Sequence, residues 1–126
     1  MHAVIETPYF LADAKSAEVT PEEVEAIKAT IADDPTCGDQ IKGTGGARKV
    51  RIGGKGKGKS GGYRVFFFPT PPDVPVFLLR LLSKGQKSNL TKNERNAIKA
   101  YLSTLVDDYR ESVRKAAAKL RRKRKR

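Results

Sequence analysis

A chain of 126 residues fits one domain of ordinary size, long enough to bury one core, and this excludes a large multidomain enzyme. Hydrophobic residues make up 38% and charged residues 32%, so the composition is globular but polar. The 26 Lys and Arg against 14 Asp and Glu leave a net charge of +12, which favours a polyanionic partner: nucleic acid, an acidic protein or a membrane surface.

His2 is the single histidine and stands beside Met1. That argues against a Ser-His-Asp triad, a histidine-based ribonuclease and a histidine-ligated metal, and leaves catalysis to Lys, Arg, Tyr or carboxylates. The first residues show no basic stretch followed by an apolar run, so no secretory signal is expected. Val4 and Ile5 suggest a short strand, and residues 8–17 a short helix. Thr20-Pro21-Glu22-Glu23 is a strong helix start, with an N-cap Thr, Pro at the first helical position and Glu three residues after the cap. Val24, Ile27 and Ile31 follow at helical spacing, and Asp34-Pro35 ends the helix. Cys37 is the only cysteine, which excludes an internal disulfide and a cysteine-based zinc site and leaves an incidental loop thiol.

The stretch Gly38 to Gly46 reads as loop. Three strands follow near residues 47–53, 62–69 and 75–82, separated by a Gly/Lys-rich loop and by the turn Pro69-Thr70-Pro71-Pro72-Asp73, which makes a meander. The most apolar run, Val76 to Leu82, is far below the roughly 20 residues that span a bilayer. The chain therefore reads as soluble and cytoplasmic, without a membrane partner. A second capping box, Thr91-Lys92-Asn93-Glu94, opens a helix with the apolar stripe Ile98, Tyr101, Leu102, Leu105, Val106, Tyr109 and Val113. Strands grouped together and helices segregated predict an α+β fold.

Charge is distributed unevenly. Residues 1–41 hold nine acids and two bases, net −7; residues 42–113 hold fifteen bases and five acids, net +10; residues 114–126 hold nine bases and no acid. The expected organisation is a folded domain over 1–113 and a basic tail over 114–126, either flexible or a helical extension. Gly53 to Ser60 spells the phosphate-loop pattern, and Gly56 to Gly61 spells G-x-G-x-x-G. Both need a helix next, and a strand follows instead, so nucleotide hydrolysis is not expected. Lys55, Lys57 and Lys59 on a glycine spine form a dense positive field. By itself such a loop can be a solvated hairpin whose lysines keep a strand edge soluble. Flanked by Arg48, Lys49 and Arg51 before it, Arg64 after it, and Lys84 and Lys87 beyond the next strand, it can also line a groove for a nucleic-acid backbone. Phe66, Phe67 and Phe68 are expected in the core. Tyr63 is expected to be exposed and able to stack a base or move a proton.

Gly43-Thr44-Gly45-Gly46-Ala47-Arg48-Lys49-Val50-Arg51, Gly56-Lys57-Gly58-Lys59-Ser60-Gly61-Gly62-Tyr63-Arg64-Val65 and Leu90-Thr91-Lys92-Asn93-Glu94-Arg95 together resemble the HigB branch of the RelE/ParE toxin superfamily, over approximately residues 1–110. The resemblance implies a small α+β domain with a curved antiparallel sheet, two N-terminal helices and one C-terminal helix. It also implies a toxin that cuts mRNA in the ribosomal A site without metal or cofactor, and a cognate antitoxin with a helix-turn-helix domain. By motif, the catalytic residues would be Lys57, Lys59, Arg64 and Lys84, with Lys57 or Lys59 as base, and the RNA-binding residues Arg48, Lys49, Arg51, Lys55, Tyr63 and Lys87. Family members commonly carry an aromatic-small-Lys-Asn-Glu run after the last strand, whereas this chain has Leu82-Ser83-Lys84-Gly85-Gln86. Two rival readings are a non-catalytic RNA- or ribosome-binding protein and a ParE-like gyrase inhibitor, although ParE-like toxins lack the lysine-rich loop.

Overall fold

The structure, a computed structural model, describes residues 2–53, 62–83 and 89–124. Its elements run β1 (Val4–Glu6), α1 (Pro8–Ser16), α2 (Pro21–Asp33), β2 (Asp39–Gln40), β3 (Arg48–Ile52), β4 (Tyr63–Phe68), β5 (Val76–Ser83) and α3 (Lys92–Arg124). Each helix starts where capping chemistry dictates. The Thr7 hydroxyl accepts the Phe10 amide at 3.3 Å with Pro8 at the first turn of α1. Thr20 and Glu23 exchange reciprocal bonds of 3.1 and 3.0 Å at the start of α2, and Thr91 and Glu94 repeat the exchange at α3. Such boxes satisfy amides that have no partner within the helix.

The strands form one open mixed sheet in the order β1-β5-β4-β3-β2, antiparallel throughout except that β1 runs parallel to β5. The α+β fold expected from the sequence is the one observed. Strand alternation divides the core into two layers. Tyr63, Val65 and Phe67 of β4 and Val76, Leu78 and Leu81 of β5 pack on Phe10 and Ala14 of α1 and Ile27 and Ile31 of α2. Phe66, Phe77, Leu79 and Leu82 pack on Ile98, Leu102 and Leu105 of α3. Each such large side chain, fully buried, stabilises the fold by about 1.5–3 kcal/mol.

A bulge opposite Phe66 and Phe67 places Leu79 as the extra residue of β5. Beyond β1 the edge of β5 is closed by side chains rather than by another strand. Thr7 donates its hydroxyl to the Leu78 carbonyl at 2.8 Å, and Asp13 of α1 accepts the Leu81 amide at 2.9 Å. Asp13 also accepts Arg80 Nε at 2.6 Å and Nη2 at 3.3 Å, while Arg80 Nη1 reaches Glu94 of α3 at 3.5 Å. The carboxylate beside Arg80 raises the pKa of its guanidinium further, and one arginine joins the helices on the two sides of the sheet.

One strand differs from the sequence expectation. The stretch read as loop contains β2, which pairs Asp39 with Lys49 and Gln40 with Arg48. Two polar residues carry no alternation signal, and the pairing depends on Gly38, whose φ is +73° and whose missing Cβ would lie 2.0 Å from the Lys49 carbonyl oxygen. The basic segment after Val113 is a direct continuation of α3, helical to Arg124. At 33 residues this helix is about 50 Å long. Among the described residues its last hydrogen-bonded tie to the body is Arg110, which donates to Asp73 at 2.9 and 2.8 Å. Past that point Val113 and Leu120 are half exposed, and the helix is an arm carrying seven bases between residues 114 and 124.

Candidate nucleic-acid interface

Strand alternation decides which basic residues share a surface. In β3, Lys49 and Arg51 project to the α3 side of the sheet, and Arg64 of β4 projects to the same side. The register places Arg51 directly opposite Arg64 and Lys49 directly opposite Phe66, so the two arginine Cβ atoms are about 5 Å apart. Like charges in that position destabilise a sheet by themselves; an oxyanion between them reverses the sign. Arg51 is exposed and Arg64 half-buried.

Arg48 lies on the other side of the sheet. Its Nε donates to the Cys37 carbonyl at 3.1 Å, and its Nη2 to the Thr36 and Gly38 carbonyls at 2.7 and 2.8 Å, so the guanidinium braces the turn that follows α2. It is not brought together with Lys49, Arg51 and Arg64. Tyr63 is not exposed as the sequence suggested: it is 2% accessible within the α1–α2 layer, and its hydroxyl donates to Glu23 Oε2 at 2.9 Å. The same alternation that turns Arg64 outward turns Tyr63 inward, which removes it as a base-stacking platform. Phe66 and Phe67 are buried and Phe68 is half-buried, consistent with core positions. Burial pushes the Cys37 thiol pKa upward, and the Asp34 carboxylate adds to the shift, so Cys37 is a poor nucleophile at neutral pH. Lys55, Lys57, Lys59, Lys84 and Lys87 lie outside the described residues.

Next to the arginine pair is a cleft of about 470 Å³ between the loop after β2 and the first turn of α3. Lys42, Lys49, Lys92 and Arg95 line it, and no Asp or Glu does. Lys49 Nζ is held by Asn89 Oδ1 at 3.1 Å, and Arg95 Nη1 donates to the Leu90 carbonyl at 2.8 Å. One wall is knitted by Thr44, which is fully buried; its hydroxyl donates to the Ile41 carbonyl at 2.8 Å and accepts the Ala47 amide at 3.0 Å. The sequence pointed to Lys49 but not to Lys42, Lys92 or Arg95. Lys92 stands in the capping motif of α3 and Arg95 directly follows it, where three-residue spacing puts them on one helix face; their basic character on that first turn was the available signal.

Among the described residues no three His, Cys, Asp or Glu side chains come together to hold a metal, and no helix is long and apolar enough to cross a membrane. The surface can neutralise phosphate oxygens at several successive points, and the arginine pair can stabilise charge accumulating at one of them. A family model described as the RelE toxin of the RelE / RelB toxin-antitoxin system matches residues 5–121, from β1 to the last turns of α3.

Proposed function

The chain belongs to the RelE toxin family, and on that premise we propose that it is the toxin of a type II toxin–antitoxin pair, of the HigB branch, acting as a ribosome-dependent endoribonuclease on translated mRNA. Its partners in this reading are mRNA and ribosomal RNA as targets and an antitoxin with a helix-turn-helix domain as inhibitor. The observation that supports it best is the directly opposed Arg51–Arg64 pair on the face shared with Lys49. The segment 54–61, with its three lysines, joins the strands that carry this pair.

The reaction needs no histidine. A ribose 2′-oxygen attacks the adjacent phosphorus and loses its proton to a neutral lysine amine, Lys57 or Lys59. The P–O5′ bond then breaks, leaving a 2′,3′-cyclic phosphate and a 5′-oxygen that takes a proton from Lys84. Arg64, charged at every relevant pH and able to hold two oxygens with its planar fork, stabilises the negative charge that builds on the non-bridging oxygens. Lys49 and Arg51 hold the flanking backbone. Lys55, Lys57 and Lys59 stand at every second position of the sequence, and like charges at that spacing would favour a neutral amine on one of them.

Expression of the wild-type chain is expected to arrest growth, and primer extension on a translated message to show new 5′ ends. Arg64→Ala, or Lys57 and Lys59 replaced together by Ala, should relieve the arrest and remove the ends. Arrest without new ends would replace this reading with that of a non-catalytic RNA or ribosome binder.

A further inference from the structure

Lys49 apart, the cleft beside the arginine pair takes no part in the reaction described above, and its cations are gathered in one concave place. Several cations of the folded body are paired with carboxylates: Lys28 with Glu6, Arg80 with Asp13 and Glu94, Arg110 with Asp73. In the cleft, Lys42, Lys49, Lys92 and Arg95 converge from three separate elements, and among the described residues none of the four forms an ion pair. Two of them are fixed by neutral acceptors, Lys49 by Asn89 and Arg95 by the Leu90 carbonyl. That orients the cations without neutralising them.

We propose that this cleft is a second backbone subsite, which holds a phosphodiester of the same RNA strand at one or two nucleotides from the phosphate on Arg64. The proposal rests on the reading that the chain acts on RNA. The path follows from β3: Arg51 and Lys49 lie two residues apart on one face, about 7 Å along the strand, a step that one unstacked nucleotide spans. Lys49 belongs both to the strand face and to the cleft lining, so a backbone leaving the arginine pair passes Lys49 and meets Lys92, Arg95 and Lys42 next. The lining offers no ring for a base to stack on, because its aromatic residue, Phe66, is 1% accessible. The subsite therefore reads phosphate charge and not base identity, and it grips single-stranded backbone whatever the sequence.

The test uses the full chain and a labelled 2′-O-methyl RNA oligonucleotide, which keeps its phosphates but cannot be cut. Binding is followed by fluorescence anisotropy over a range of salt concentrations for the wild type, for Lys42→Gln/Lys92→Gln/Arg95→Gln, and for the charge-retaining Lys42→Arg/Lys92→Arg/Arg95→Lys. The neutral triple should bind at least about tenfold more weakly, with a log–log salt slope shallower by about 0.7 for each phosphate it no longer neutralises. The charge-retaining triple should keep the wild-type slope, and all three proteins should melt alike. An unchanged affinity and slope in the neutral triple, or a wild type without salt-dependent affinity for the oligonucleotide, overturns the subsite. The two readings fail separately. A wild type that cuts no translated message but loses binding in the neutral triple keeps the subsite and loses the nuclease. A wild type that cuts, with a neutral triple that binds normally, does the reverse.

Discussion

Replacing Tyr63 by Phe separates a structural residue from an RNA-binding one. The ring is 2% accessible and Phe refills it without a cavity, so the change removes only the hydroxyl that donates to Glu23 Oε2 at 2.9 Å. A hydrogen bond to a charged acceptor contributes about 1.5–3 kcal/mol. Glu23 keeps the Thr20 amide on its other oxygen, which places the loss at the lower end, about 1.5–2 kcal/mol. Unfolding entropy of about 2.1 cal/mol/K per residue makes 1 kcal/mol equivalent to about 4 °C for a chain of this length. Tyr63→Phe should therefore lower the Tm, followed by circular dichroism, by about 6–8 °C. Its affinity for a single-stranded RNA oligonucleotide at 20 °C should equal that of the wild type. An unchanged Tm with weakened RNA binding would overturn this assignment, because it would place the hydroxyl on the nucleic-acid side of the sheet.

Asp13→Ala removes the acceptor of two Arg80 bonds and of the Leu81 amide. Because the pair is a fifth to a third exposed, the expected loss is about 2–3 kcal/mol rather than the full value for a buried pair, read as a lower urea midpoint with an unchanged m-value. Deleting residues 114–126 should leave the Tm within about 2 °C, since surface changes of this kind stay within about 0.5 kcal/mol. The same deletion should weaken ribosome affinity and flatten its salt dependence without abolishing cleavage; loss of cleavage would place the active surface on the arm.

Periodicity made most of the fold legible. The capping boxes at Thr20 and Thr91 and the turn at Pro69 to Asp73 fix element ends by local chemistry, which a sequence displays directly. The parallel pairing of β1 with β5 and the short strand Asp39–Gln40 depend on partners far along the chain, and no local pattern announces them. The site was legible in part. Residue type indicated a cationic surface, but strand parity, set by a one-residue step, decides that Lys49, Arg51 and Arg64 share a face while Arg48 and Tyr63 point away. The run Tyr63-Arg64-Val65-Phe66-Phe67-Phe68 hides that parity because β4 is covered on both faces and its apolar residues do not alternate. No sequence pattern joins Lys42 to Lys92 and Arg95, because the loop after β2 and the first turn of α3 meet only in the folded chain.

Whether the cationic sheet face cuts RNA is decided by single-turnover cleavage of a message on purified ribosomes. The wild type is expected to yield fragments ending in 2′,3′-cyclic phosphate and 5′-hydroxyl, and Arg64→Ala to cut about 10²–10³-fold more slowly, the usual loss when one stabiliser of developing oxyanion charge is removed. Equal rates for the two proteins, or fragments carrying 5′-phosphate, would disprove it.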